Sequence, residues 1–415
     1  MPSAASQPQG TLRMPKGARR QSAPSIALRI DRLQAEGRRI PRYWGEFWTS
    51  RQRQSCSLHE ISYRACFKAQ LPRFFVELFT SPGDVVYDPF MGRGTTIVEA
   101  ALLGRRVIGN DINPLSALLT APRLCVPTLS DVEERLGTIR IDPNLRSDVP
   151  LRMFFHRRTE AEIVSLQAYL ARRRRRGAED DLDRWIRMVA TNRLTGHSRG
   201  FFSVYTLPPN QAISASRQIK INQALNQKPE YRDTRSLILR KTRSLLRTLD
   251  EAQRKQLETA SRTARLLSAA AHHTPEIPSN SVHLTVTSPP FLNVVDYGRD
   301  NWLRCWFNGI DTTRVTRRMT HDATLSQWCS SMTAVFTELF RITRSGGRVA
   351  FEVGEIRNRT LLLDEFVLPL GESAGLRTEA VYVNTQEFTK TANIWGIRNN
   401  RKGTNTNRIV VFRKL

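Results

Sequence analysis

The chain has 415 residues, enough to bury at least one full core and to form one large domain carrying an insert. Its 64 Lys and Arg against 38 Asp and Glu leave a formal charge of +26, which draws polyanions through counterion release and makes nucleic acid the natural partner. No apolar run reaches membrane-spanning length, and the five cysteines form neither a Cys-x-x-Cys pair nor a metal-ligand pattern with histidine, so membrane and metal chemistry find no support and a reduced, cytoplasmic setting is expected.

Residues 1–30 are rich in Ser, Pro, Gln and Ala with scattered basic side chains, and lack the apolar core of a signal peptide; they read as a disordered basic tail. A first ordered block runs over 31–126. In it Val85-Val-Tyr87 reads as a short buried strand, Met91 to Thr95 as a turn, Thr96 to Leu103 as a helix closed by Gly104, and Arg106-Val-Ile-Gly109 as the next strand of a parallel α/β unit. The turn lies in Asp88-Pro-Phe-Met-Gly-Arg-Gly-Thr-Thr96. Gly92 and Gly94 let backbone approach a ligand, and the helix behind them turns its first amides toward it. A Gly-x-Gly turn alone is a weak signal, but a dinucleotide site would want a third glycine where this chain has Ile97. Asp111 follows at roughly the 20-residue spacing at which an acid takes ribose hydroxyls, so Ile108-Gly-Asn-Asp-Ile-Asn-Pro114 completes an adenosine site.

Over 127–262 the composition shifts to helix formers and arginine, as for a largely helical insert. Leu182, Trp185, Ile186, Val189 and Ala190 share one helical face, and the run Arg172 to Arg176 precedes a break at Gly177. Farther on, Ile238, Leu245, Leu246 and Leu249 make an apolar stripe, with Arg240, Arg243, Arg247 and Arg254 on a different face. That face reads either as a phosphate-tracking surface or as a solvated one. The loop Thr195-Gly-His-Ser-Arg-Gly-Phe-Phe-Ser-Val-Tyr-Thr-Leu-Pro-Pro209 is dense in aromatic and polar groups. It serves either the mouth of a site or the attachment of the insert.

The second block, 263–415, opens with the strand His283-Leu-Thr-Val-Thr287, which ends at Ser288-Pro-Pro-Phe291. The helix Leu325 to Ile342, the strand Gly347 to Val353, and a closing strand pair over Thr378 to Val383 and Asn407 to Phe412 follow. Most Ser-Pro-Pro tripeptides are merely rigid turns. At the end of a parallel strand, where open α/β sheets place ligands, the same tripeptide suits chemistry on an exocyclic base amine. Such an amine is a poor nucleophile because its lone pair is delocalised into the ring. Acceptors that hold both N–H groups favour a more tetrahedral nitrogen; the Ser288 hydroxyl and the Pro289 carbonyl are candidates, with Pro289 and Pro290 fixing the backbone. Phe291 is placed to stack on a base drawn out of the duplex.

Asp88-Pro-Phe-Met-Gly-Arg-Gly-Thr-Thr96 and Thr287-Ser-Pro-Pro-Phe291 together resemble the amino-methylating DNA methyltransferases, and Ser-Pro-Pro-Phe is similar to their cytosine-N4 branch. The resemblance implies a Rossmann-like α/β fold, with a mixed, mostly parallel sheet flanked by helices. It implies S-adenosylmethionine as cofactor, held by Asp88, Pro89, Phe90, Gly92, Gly94, Thr95 and Thr96, with Asp111 and Ile112 at the ribose. Phe67-Lys-Ala-Gln-Leu-Pro72 resembles the segment that lies against the methionine part, bringing in Phe67 and Lys68. Leu292-Asn-Val-Val-Asp-Tyr-Gly-Arg299 resembles the loop after the catalytic turn and makes Asn293, Asp296, Tyr297 and Arg299 candidates for the flipped base or its phosphates. The order of cofactor motif, insert and catalytic turn matches an arrangement with target recognition in the insert.

One departure stands out. The acid that the family usually places some fifteen residues before the catalytic turn is missing from Leu267-Ser-Ala-Ala-Ala-His-His273, which leaves His272 or a backbone group to meet the adenine. The expected function is methyl transfer to cytosine N4 of duplex DNA with the base flipped, beside a separate cognate restriction endonuclease, the oligomeric state being left open. An adenine-N6 enzyme, an RNA base methyltransferase and an inactive DNA-binding homologue are the alternatives. No cysteine follows a proline, which argues against cytosine-C5 chemistry.

Overall fold

The computed structural model describes residues 29–35, 37–48, 55–63, 66–206, 212–290, 297–319, 322, 324–356, 361–385 and 406–415. The chain opens with β1 (Arg29–Ala35) and β2 (Arg38–Gly45), an antiparallel hairpin. β1 starts inside the stretch expected to be a disordered tail. The hairpin is held by pairing of β2 with a distant strand and by the Arg42–Asp31 ion pair (2.7 Å), features that a local reading of so polar a segment does not register. Next come α1 (Gln70–Phe79), β3 (Val85–Asp88), α2 (Thr95–Leu102) and β4 (Arg106–Asn110), the strand–turn–helix–strand unit expected there.

Between β4 and the short β5 (Arg265–Leu267) run α3 (Leu115–Thr120), α4 (Leu129–Thr138), α5 (Arg157–Arg175), α6 (Asp181–Arg193), α7 (Ala215–Ala224), α8 (Thr234–Leu246) and α9 (Glu251–Ser261). α5 stops where the arginine run meets Gly177, whose φ of +66° suits glycine. The chain then passes through β6 (Val282–Thr287), α10 (Tyr297–Asp300), α11 (Trp302–Phe307), α12 (Thr312–Arg318), α13 (Leu325–Ile342) and β7 (Thr343–Val353). A separate small pair, β8 (Glu355–Ile356) and β9 (Leu361–Leu362), precedes α14 (Leu363–Ser373), β10 (Arg377–Thr385) and β11 (Thr406–Arg413). α13 has the predicted bounds because Thr324 and Gln327 form a reciprocal capping box at its start.

The main sheet has the order β1-β2-β10-β11-β7-β6-β3-β4-β5, antiparallel at the β1–β2, β10–β11 and β11–β7 pairs and parallel elsewhere. It is therefore the mixed, mostly parallel α/β sheet that the sequence calls for. Period-2 alternation sends its side chains to two cores. Val86, Leu284, Val286, Ala350, Val411 and Tyr382 join the core under α1, α2 and the helices between β4 and β5; Val85, Tyr87, Val349, Phe351, Val381 and Phe412 join the core under α13 and α14. Trp185, Ile186, Val189 and Ala190 of α6, with Ile238 and Leu245 of α8, are buried in the first of these cores, so those helices and the sheet share one apolar interior. Strand order reverses between β3 and β6: from β3 the chain proceeds outward to β4 and β5, and from β6 outward to β7. The carboxyl ends of β3 and β6 thus border the crevice where open α/β sheets take ligands.

Candidate active site

The two motifs, far apart in sequence, end on these two neighbouring strands. Asp88 closes β3 and is 1% exposed; its Oδ1 accepts from the Phe90 backbone N–H (3.1 Å) and from Thr287 Oγ1 (2.7 Å), the last residue of β6. Thr96, at the start of α2, donates its hydroxyl to the Val286 carbonyl (3.1 Å). The turn and the Ser-Pro-Pro segment are therefore stitched together on both sides. Within the turn, Gly94 has φ of +73°, and a Cβ there would stand 2.3 Å from Thr120 Oγ1, so a side chain is excluded by backbone and by space. The Gly92 N–H donates to Asp111 Oδ2 (2.9 Å), and the Asn113 N–H to Asp111 Oδ1 (2.9 Å), which fixes the acid at the end of β4.

No Lys or Arg pairs with Asp88 or Asp111 among the described residues. Burial, above all, pushes Asp88 up to about 7 and raises Asp111. One buried and one partly buried acid without a cation of their own, facing a glycine turn, fit a nucleoside that carries positive charge. Around the turn, Arg93 is buried and donates to the carbonyls of Ile61 (2.8 Å), His59 (3.2 Å) and Phe67 (3.4 Å). It thereby brings Phe67 and the half-buried Lys68 beside the turn; burial lowers the Lys68 ammonium. Beyond β5, a cleft of about 490 Å³ is lined in part by Ser268, Ala270, His272, Glu276 and Arg318. Asn110 holds its rim, with Nδ2 donating to the Ala269 carbonyl (3.0 Å) and Oδ1 accepting from the Ala269 N–H (2.9 Å).

At the other motif, Thr287 of β6 lies in register with Phe351 of β7, so Ser288 comes up beside Glu352. The Ser288 side chain neighbours the Glu352 carboxyl and, by hydrogen bonding, favours its ionised form, while Glu352 also accepts from Asn407 Nδ2 (2.6 Å) on β11. Glu352 is 6% exposed, and its burial raises its pKa despite both bonds. Pro289 is buried, and the Pro290 carbonyl accepts from Trp328 Nε1 of α13 (3.0 Å), which fixes the end of the tripeptide. With its proton drawn toward Glu352, the Ser288 oxygen keeps its lone pairs for a second partner.

The family model described as "DNA methylase" matches residues 11–118. The type II methyltransferase M.BsoBI of Geobacillus stearothermophilus is 23% identical over 277 residues, 62% of this chain and 54% of that protein. M.MjaII of Methanocaldococcus jannaschii is 39% identical over 62 residues, 15% of this chain and 12% of its own. Over these stretches the chain is similar to DNA methyltransferases of the amino-methylating type. It spans about half the length of M.BsoBI and shorter parts of the other relatives. Among solved structures, geranyl diphosphate C-methyltransferase of Streptomyces coelicolor A3(2) aligns over 83% of this chain and 76% of its own, at 9% identity and a TM-score of 0.33.

Of the residues that sequence and family nominate, Asp88, Pro89, Phe90, Gly92, Gly94, Thr95, Thr96, Asp111 and Ile112 lie at the ends of β3 and β4 and the start of α2, and β3 neighbours the strand that ends at Ser288. Phe291, Asn293 and Asp296 lie outside the described residues. Tyr297 and Arg299 lie on α10, with Arg299 exposed. The four insert arginines do not form one face of one helix. α8 ends at Leu246, because Asp250 and Gln253 start α9 with a capping box of their own. Arg247 is tied to Glu60 through both terminal nitrogens, and Arg254 donates to the Pro127 carbonyl (3.4 Å), whereas Arg240 and Arg243 stay exposed. In the aromatic loop, Phe201 and Phe202 are buried and Ser198 and Arg199 exposed, while 207–209 lie outside the described residues.

Sequence reasoning missed Thr287, Glu352, Asn407, Trp328 and Arg93. Only Glu352 left a signal, as a lone carboxylate inside the apolar strand Val-Ala-Phe-Glu-Val353. The family's cofactor, S-adenosylmethionine, carries the positive charge that the unpaired acids lack. Without ligand, the raised pKa of Asp88 contributes stability that is full below the ordinary carboxylate value near 3.8 and is lost as pH rises through about 7. A cation beside it favours the ionised form. Cofactor affinity is therefore expected to fall roughly fivefold from pH 7 to pH 6, with proton release on binding. Calorimetry in buffers of different ionisation enthalpy reads both, and Asp88→Asn should flatten the profile.

Proposed function

We propose that this protein transfers a methyl group from S-adenosylmethionine to the exocyclic N4 of cytosine in duplex DNA. The observation that carries this reading is Ser288, beside the Glu352 carboxyl and just past Thr287, which bonds Asp88 of the neighbouring strand. The cofactor supplies an electrophilic methyl on a sulfonium. Asp111 and the Gly92–Gly94 turn bind its nucleoside, and Asp88 sits between that site and the catalytic turn. Ser288 accepts one N–H of the target amine, and the Pro289 carbonyl is the candidate for the other, which aims the nitrogen lone pair at the methyl.

Transfer would exchange the sulfonium S–CH3 bond for the new C–N bond, leaving a neutral thioether, and the amine would give up one proton. The Ser288–Glu352 hydrogen bond offers it a route to a carboxyl whose burial raises its affinity for protons. Glu352 acts through Ser288 and is a positioning residue. Asn293, Asp296, Tyr297 and Arg299 are proposed to hold the flipped cytosine or its flanking phosphates, with Phe291 stacked on the base. Residues 127–262 are proposed to read the target sequence, and a separate endonuclease of matching specificity is the proposed partner.

The test is expression in a host without DNA methylation, followed by mass spectrometry of the digested genome. N4-methylcytosine is the expected product. N6-methyladenine alone would move the enzyme to the adenine branch, and 5-methylcytosine would overturn the amine mechanism.

A further inference from the structure

α6 ends at Arg193, and the loop that follows folds back on it: Phe202 N–H donates to the Arg193 carbonyl (2.8 Å) and Thr206 N–H to the Gly196 carbonyl (3.0 Å). Arginines grip this loop by its carbonyl groups. Arg193 Nη1 reaches Gly200 (3.5 Å), Arg240 Nη2 reaches Arg199 (3.0 Å), and Arg232 Nη1 reaches Ser198 (3.0 Å) and Phe201 (2.9 Å). A Cβ on Gly200 would stand 3.6 Å from Arg240 Nη2 and 3.9 Å from Arg193 Nη1, so two guanidinium groups converge over one glycine.

These cations are under-compensated. No carboxylate lies within ion-pair distance of Arg193, Arg199, Arg232 or Arg240 among the described residues; the neighbouring Lys241 has only Glu60 at 3.6 Å, an acid already held by Arg247. Arg193 is 8% exposed, and its Nε has no hydrogen-bond partner. Burial first, then Arg304 and Arg240, push Arg193 down to about 10. Burial and then Arg193 push Lys241 down to about 8. Arg193 stacks on Phe201 (3.9 Å to the ring centroid) and donates Nη2 to Asn192 Oδ1 (2.8 Å), so it adds buried positive charge behind the exposed Arg199 and Arg240, charge that an anion on their outer side neutralises.

The place is specific. Beside Arg193, Asn192 Nδ2 donates to the Ser62 carbonyl (3.1 Å), next to Ile61, which Arg93 of the cofactor turn holds. From the other side, Asn308, just after α11, donates to Thr191 Oγ1 (2.9 Å). The end of α6 is thus braced between the cofactor turn and the helix that follows the catalytic segment.

We propose that Arg199 and Arg240, backed by the buried charge of Arg193, form a seat for one backbone phosphate of the DNA strand that carries the target base. The proposal rests on the DNA reading above. A phosphate there neutralises the cluster and anchors the strand near the point where a base must leave the stack.

The closing experiment uses the full chain and the exposed pair, as Arg199→Ala, Arg240→Ala and the double variant. Binding to a labelled duplex of arbitrary sequence is followed by fluorescence anisotropy from 50 to 200 mM NaCl. Because both arginines serve one phosphate, the double variant should lower the slope of log affinity against log salt by about one. An unchanged slope, or a loss of about two from independent contacts, overturns the shared seat. A second measurement needs no DNA: inorganic phosphate at matched ionic strength should raise the melting temperature of the parent protein and not of the double variant. An equal response overturns the anion site. Failure of the parent protein to bind any duplex overturns the DNA occupant, and the phosphate melt then decides separately whether the anion seat exists.

Discussion

Replacing Ser288 by alanine should slow methyl transfer about a hundredfold while leaving cofactor affinity nearly intact, as expected for deleting one preorganised hydrogen-bonding group at a reacting centre. The structure sharpens the expectation. Glu352 beside Ser288 draws the hydroxyl proton toward itself, which leaves the serine oxygen to face an incoming amine as an acceptor. Glu352→Gln should reproduce part of the loss, because an amide can donate to Ser288 and reverse the polarity of its hydroxyl. The Glu352 variant should also shift the pH profile of the single-turnover rate, which a purely structural defect would leave in place. Single-turnover rates on methyl-free DNA, with calorimetric titration of the cofactor, separate the two effects. Wild-type turnover by Ser288→Ala would remove the serine from the mechanism.

Asp111→Ala should weaken S-adenosylmethionine binding by about 1.5 to 3 kcal/mol, through loss of a charged acceptor for the ribose hydroxyls. Asp111 also receives the Gly92 N–H, so the substitution frees an amide in the glycine turn that the ligand meets. Asp111→Asn, which keeps an acceptor for Gly92, should lose less. Calorimetry on both variants checks the order. Equal losses would assign the effect to the charge, and no loss in either would remove Asp111 from the cofactor site.

Local spacing made the unit from β3 to β4 legible, since a buried Val-Val-Tyr strand, a glycine turn and a helix before a second buried strand need no distant partner to be recognised. The bounds of α13 were equally local. The hairpin β1–β2 was not legible, because its pattern is polar and its stability comes from the pairing of Val381 to Asn384 on β10 with Arg42 to Gly45. The break between α8 and α9 was written in Asp250 and Gln253. It was overlooked because the arginines at three- and four-residue steps imitate one continuous helix.

By itself, the sequence determined the α/β class, the glycine turn between Asp88 and Asp111, and the Ser-Pro-Pro turn, because each lies within a few residues of chain whose conformation follows from glycine, proline and strand periodicity. Only the tertiary structure decided what those motifs touch. Thr287 and Asp88 are 199 residues apart and meet because β3 and β6 are neighbours across the strand-order reversal. Asn407 reaches Glu352 over 55 residues because β11 lies beside β7. Sheet order and register set those contacts, and they arise from the packing of the whole chain on two cores, which no local spacing encodes.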